Sequence, residues 1–237
     1  MNQKIKKAIK QGFEAPVPKR KQEFLQNIPT PSIGCFQFVC FQAAYIRKSS
    51  WIFSALVFAI AFIGAKCLER DMLLCISAFT PLLALNLVTE TGRSESYGMA
   101  ELELSARFPL KSVILARLGI LGVFNSILIC MLIPFAFRNS TAMLQTGVYI
   151  ICPYLLTAFL GLWAIRKAHG KEAVYLCPGI ATGVSAGNMI IQQSFPMFYT
   201  ERSFLWWVVI LIVLTAGTAK QCYQTVKETE ELAWNLS

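Results

Sequence analysis

Long apolar runs alternate with short polar ones along this chain. The runs cover 51–68, 72–89, a stretch from just after Pro109 to near Phe137, 142–165, 173–193 and 204–223. Each is close to the roughly 20 residues that an α-helix needs to cross the hydrocarbon core of a bilayer. The pattern predicts an all-α, polytopic membrane protein with six transmembrane helices. Residues 33–48 are also apolar, but Gln37 and Gln42 interrupt them and they are too short to span. Phe36, Phe38, Phe41 and Tyr45 suit the headgroup zone, so this stretch is expected to form an interfacial helix leading into the first span. Upstream, Ile5, Ile9 and Phe13 recur four apart among Lys4, Lys6, Lys7 and Lys10. That spacing predicts a short basic amphipathic helix on a membrane surface, ended by Pro16 and Pro18; a solvated tail fits the same residues. The chain then divides into an N-terminal segment over 1–48, a six-helix domain over 49–225 and a C-terminal tail over 226–237.

Composition agrees with the pattern. Hydrophobic residues make up 55% of the chain and charged residues 15%, with a mean hydropathy of +0.53. A soluble domain carries about 25% charged residues, so there is too little charge here to coat a globule. The net charge of +9 sits at the ends of the apolar runs, which argues for membrane orientation and against a nucleic-acid partner. If the N-terminus is cytoplasmic, 18 Lys and Arg fall inside and only Lys66, Arg70, Arg138 and Arg202 fall outside. Both termini are therefore expected in the cytoplasm, which an even number of spans allows. No early apolar core of a cleavable signal precedes the first span, so that span is expected to serve as its own insertion signal. The eight cysteines form no Cys-x-x-Cys pair and are expected to act as small hydrophobes.

Counting removes the common membrane enzymes. The chain has one aspartate, Asp71, where an aspartyl protease needs two, and one histidine, His169, where a His-Glu-x-x-His zinc site needs two. Residues 183–187 match the Gly-x-Ser-x-Gly nucleophile pattern. But Ser185 lies 16 positions after His169 inside a predicted helix, about 24 Å along its axis, so the small residues are expected to serve helix packing. Gly170-Lys171 is followed by Glu172 and lacks the earlier glycine of a phosphate loop, so any ATP would have to bind another chain. No catalytic, cofactor-binding or metal-ligating set emerges.

The connection between the second and third runs carries Glu95, Gly98, Glu101, Leu102, Ser105, Pro109, Leu110, Val113 or Ile114, and Arg117 in that order. This segment resembles the acidic Glu-x-Gly-x-x-Glu segment that follows the second span in permease subunits of ABC-2 type ATP-binding cassette transporters. Arg107 stands where a small residue is common in that family. The resemblance implies a coupling helix, about 93–108, that docks on a cytoplasmic ATPase. Glu101, Glu103 and Arg107 would make rim contacts, and Met99, Leu102 and Phe108 would be apolar anchors. It also implies ATP and Mg on two separate ATPase subunits, a second permease copy or a similar permease, and export of a peptide, lipid or drug across a bacterial plasma membrane. A single six-helix copy encloses little volume, so the pathway is expected at a pairing of two permeases.

Polar residues inside the runs add candidates. Asn86, Asn125, Asn188, Gln192 and Gln193 prefer the protein interior; the first four are candidate pathway residues, although hydrogen bonding between helices is the favoured account of any single one. Pro81, Pro134, Pro153 and Pro178 are expected to kink or break helices. Trp51, Trp163, Trp206 and Trp207 are expected as interfacial anchors. A membrane scaffold or sensor without transport activity is the alternative reading, and a copurifying ATPase separates the two.

Overall fold

The structure is a computed structural model that describes residues 34–67, 72–92, 110–136, 143–168, 171–199 and 203–235. Among these residues there are helices and no strand. Helix α1 covers Cys35–Tyr45, α2 Lys48–Cys67, α3 Met72–Thr91, α4 Leu110–Ala136, α5 Met143–Lys167 and α6 Lys171–Ser194. A 3₁₀ turn over Pro196–Tyr199 leads to α7, Phe204–Asn235. The chain divides into two compact units, Met1–Phe38 and Val39–Ser237, and the helix bundle belongs to the second. The predicted amphipathic helix near Ile5 and the predicted coupling helix at 93–108 lie outside the described residues.

Five helices are long and apolar enough to cross a membrane: α2, α3, α4 within Ser112–Phe135, α5, and α7 within Phe204–Lys227. That is the character of a multi-pass membrane protein. Helix α6, where the fifth of six spans is expected, has 24 residues but is not among the five. Gly179, Thr182, Gly183, Gly187, Asn188 and Gln192 dilute its apolar content. The expected C-terminal tail over 226–237 starts inside α7, which continues as helix to Asn235. Residues 224–235 contain neither Gly nor Pro, and more than half of them are good helix formers, three Glu with one each of Gln, Lys, Leu and Ala among the twelve.

Contacts fix how the helices run. Helices α2 and α3 are antiparallel, with Ser50 against Glu90 at one end and Gly64 against Cys75 at the other. Helix α4 runs against α3, placing Asn125 on Leu83 and Gly122 beside Leu87. Helix α5 runs with α3, since Gly161 faces Val88 and Gly92 faces Ile165. Helix α7 runs with α5, bringing Trp207 to Cys152, Gly217 to Phe159 and Gln221 to Arg166. Helices α3 and α5 are the centre: 61% of each one's apolar stretch is buried, against 33% for α4, 28% for α2 and 6% for α7.

Lipid tails are as apolar as Leu, so helices associate there through close packing and hydrogen bonds more than through burial from water. The α3–α5 contact shows the packing. A Cβ at Gly161 would stand 2.8 Å from both γ-carbons of Val88, a stiff branched side chain. Only glycine lets the two backbones approach so closely. The four prolines do not break their helices; each lies inside a continuous one. At Pro81 the reason is visible. The missing N–H leaves the Ser77 carbonyl without its usual helical donor, and the Thr80 hydroxyl donates to that carbonyl at 3.0 Å.

Gly161→Ala is expected to lower stability by about 1–3 kcal/mol through overpacking. The measurement is the thermal midpoint in detergent. Adding Val88→Ala should recover much of the loss, because the two sites share one contact. An unchanged midpoint for the single variant would mean that the approach of α3 and α5 is looser than described.

Candidate functional site

Helix α3 buries polar residues along its length: Ser77, Thr80, Asn86, Glu90 and Thr91. In a membrane-spanning helix such groups must be partnered within the protein. Their partners form two clusters at opposite ends of the bundle.

At the end that holds Glu90, α2 presents Ser50 and Ser54, one turn apart, to Asn86 and Glu90, also one turn apart. The Ser50 hydroxyl donates to the Glu90 carboxylate at 2.6 Å. The Asn86 amide donates to the Ser50 carbonyl at 2.8 Å and to the Ser54 hydroxyl at 2.7 Å. Ser54 donates onward to Asn125 Oδ1 of α4 at 3.2 Å, and Asn125 Nδ2 donates to the Leu83 carbonyl at 3.0 Å. Ser54 and Asn125 are fully buried at 0% exposure, so these bonds cannot be replaced by water. Arg117 is buried on α4 near this end, two turns before Asn125. At the same end, Arg166 of α5 donates from Nη1 to Gln221 and Gln224 of α7, each at 2.6 Å.

At the opposite end, α3 meets α6. Asn188 Nδ2 donates to the Ser77 hydroxyl at 2.9 Å, and Ser77 donates to Gln192 Oε1 at 3.2 Å. The Ser185 hydroxyl donates to the Ala78 carbonyl at 2.6 Å, so it joins α6 to α3. The Tyr199 hydroxyl, from the 3₁₀ turn, donates to Asn188 Oδ1 at 3.1 Å. Its ring packs against Tyr149 at 5.0 Å and Trp207 at 5.1 Å, while Tyr149 and Trp207 lie 5.2 Å apart, so three rings close on one another. Trp207 Nε1 donates to the Phe198 carbonyl at 2.8 Å and holds the turn down. Burial, then the neighbouring Cys152 and Tyr149, pushes the Tyr199 hydroxyl up to about 12. It therefore stays protonated and able to donate throughout the physiological range.

The four candidate pathway residues thus fall into two pairs. Asn86 and Asn125 share Ser54; Asn188 and Gln192 share Ser77. The coupling candidates Met99, Glu101, Leu102, Glu103, Arg107 and Phe108 lie outside the described residues, as does His169. Two tryptophans do more than anchor. Trp207 belongs to the aromatic triad, and Trp51 packs edge-on against Phe124 at 4.7 Å. The cysteines divide: Cys75, Cys152 and Cys177 are buried, whereas Cys40, Cys67 and Cys130 are exposed on the bundle surface. Among the described residues no group of three or more His, Cys, Asp or Glu is placed to hold a metal.

Sequence reasoning missed Ser50, Ser54, Glu90, Ser77 and Tyr199. Glu90 was expected in the polar connection after the second span, yet it lies within α3 and is 7% exposed. The usable signal was the matched spacing of four, Ser50 with Ser54 and Asn86 with Glu90, on two helices consecutive in the chain. No known protein family, curated protein or solved structure matches the chain.

Asn125→Leu removes a donor and an acceptor that join α2, α3 and α4. It is expected to cost about 1–2 kcal/mol, the upper part of the range for hydrogen bonds between membrane helices. Ser126→Ala is the control, because that exposed hydroxyl only returns to the Gly122 carbonyl of its own helix. Reversible unfolding in mixed micelles measures both; equal stability of the two variants would remove the cluster from the account of stability.

Proposed function

We propose that this chain is the membrane-spanning permease subunit of an ABC exporter of the ABC-2 kind, driven by ATP and Mg on separate ATPase subunits. The observation that carries this reading is the bundle end where α3 stops and α4 starts: buried polar residues tie both helices to α2 there, and the family-like segment joins the two in sequence. Glu90 is buried in the last turn of α3 and Arg117 is buried two turns into α4. A partner that pushes on a segment anchored at both ends moves helices, not a slack loop, which is what coupling to an ATPase needs.

Six spans make the architecture of this reading. Helices α5 and α7 run in the same direction, so the chain between them has to return across the bundle, and α6 is the element available to do it. Its lower apolarity suits a span whose polar side meets α3 and whose small-residue face is open to a second copy. With the excess of Lys and Arg inside, both termini are cytoplasmic in a bacterial plasma membrane. Helix α1 lies in the interface ahead of the first span, where exposed Phe41, Tyr45, Arg47 and Lys48 meet headgroups. A second permease copy fits the open small-residue faces of α4 and α6. A Cβ at Gly119, Gly179, Gly183 or Gly187 would meet nothing within 4 Å, so another helix can approach closely there. Asn86, Asn125, Asn188 and Gln192 supply the interior polarity along which a peptide, lipid or drug would pass.

The test is gentle purification of the tagged chain with identification of what copurifies. An ABC ATPase in stoichiometric amount is expected, and it should be lost on changing Glu101, Glu103 and Arg107 to Ala while the permease remains monodisperse. Folded protein without an ATPase would turn the assignment to a membrane scaffold or sensor.

A further inference from the structure

We propose that Tyr199 is a latch that closes one end of the bundle, opening and shutting over the polar cluster of Ser77, Asn188 and Gln192. The geometry is that of a strap. The Pro196–Tyr199 turn is short, and the side chains around its last residue are mostly turned outward: Met197 is 81% exposed and Phe198 54%. Tyr199 alone of these reaches inward, where its hydroxyl holds Asn188 of α6 and its ring closes the triangle with Tyr149 of α5 and Trp207 of α7. One side chain therefore links three helices, beside the Trp207 bond to the Phe198 carbonyl and the Ser203 bond to the Met197 carbonyl.

What Tyr199 covers is identifiable. Asn188 is 9% exposed and passes the contact inward to Ser77, the residue whose carbonyl takes the Thr80 hydroxyl where Pro81 has no N–H to give. Cys152, 2% exposed, lies behind the triad with its thiol 3.9 Å from the Trp207 carbonyl. Swinging Tyr199 away breaks one hydrogen bond and two ring contacts and breaks no helix. That is a small barrier beside unfolding, and it uncovers Asn188 and Cys152 together. As a gate the latch rests on the permease reading, in which it regulates access to the polar interior from the face opposite the ATPase. As a moving part it stands apart from that reading.

Cys152 reports the motion. The native chain is placed in sealed vesicles, treated with a membrane-impermeant thiol reagent on one face or the other, and the label on Cys152 is followed by peptide mass spectrometry. A Met197→Cys variant marks the face that carries the turn. Native Cys152 should label slowly from that face. Tyr199→Phe keeps the ring and removes the hydroxyl, so labelling should speed up about two- to tenfold, the range expected for one lost hydrogen bond. Asn188→Leu should do the same, and reagent on the other face should give no acceleration. Equal rates in the native chain and Tyr199→Phe overturn the latch. So does an equal acceleration from both faces, which would mean general loosening. ATPase copurification is untouched by either result, so the latch and the permease reading fail separately.

Discussion

A polar group inside a bilayer has no water to turn to, and this chain places that demand on one helix. Helix α3 buries Ser77, Thr80, Asn86 and Glu90, and nearly every neighbour is arranged to answer them. Helix α2 offers Ser50 and Ser54, α4 offers Asn125, and α6 offers Asn188 and Gln192. Because each partner must lie at a fixed depth, these bonds set the register of helices that apolar packing alone would let slide. The same demand explains why α3 tolerates proline: Thr80 supplies the donor that Pro81 lacks.

Close packing is the second constraint, and it depends on the first. With helices held in register, glycine can be used where backbones nearly touch, as at Gly161 against Val88 and Gly64 against Cys75. The result is an uneven bundle. Helices α3 and α5 are largely enclosed, while α7 turns most of its surface outward and α4 and α6 keep open small-residue faces. The two ends differ in kind. One is tied by hydroxyls, carboxamides and the buried Glu90; the other is closed by three aromatic rings and a short turn.

Much of the helix layout was legible because the span length of a bilayer is a strong filter. The expected run at 72–89 is α3 at Met72–Thr91, and the run ending near Phe137 is α4 at Leu110–Ala136. The errors lie where hydropathy stops discriminating. Glu90 reads as loop by charge alone, yet Ser50 on a neighbouring helix keeps it inside. The polar end of α7 is helical to Asn235, because helix propensity does not depend on lipid. Tyr199 gave no signal at all, since its role comes from residues 149, 188 and 207, which only the fold brings together.

The permease reading joins these features: a bundle tied at the end where the family-like segment departs, and closed by a latch at the other. All of it requires α6 to cross the membrane, so that Asn188 and Gln192 meet Ser77 far from Glu90. Cysteines introduced singly at Glu172, exposed at the start of α6, and at Met197, exposed just past its end, test this directly in sealed vesicles. The account predicts that an impermeant reagent outside labels one of them and reaches the other only after permeabilisation; labelling of both from the same face would contradict it.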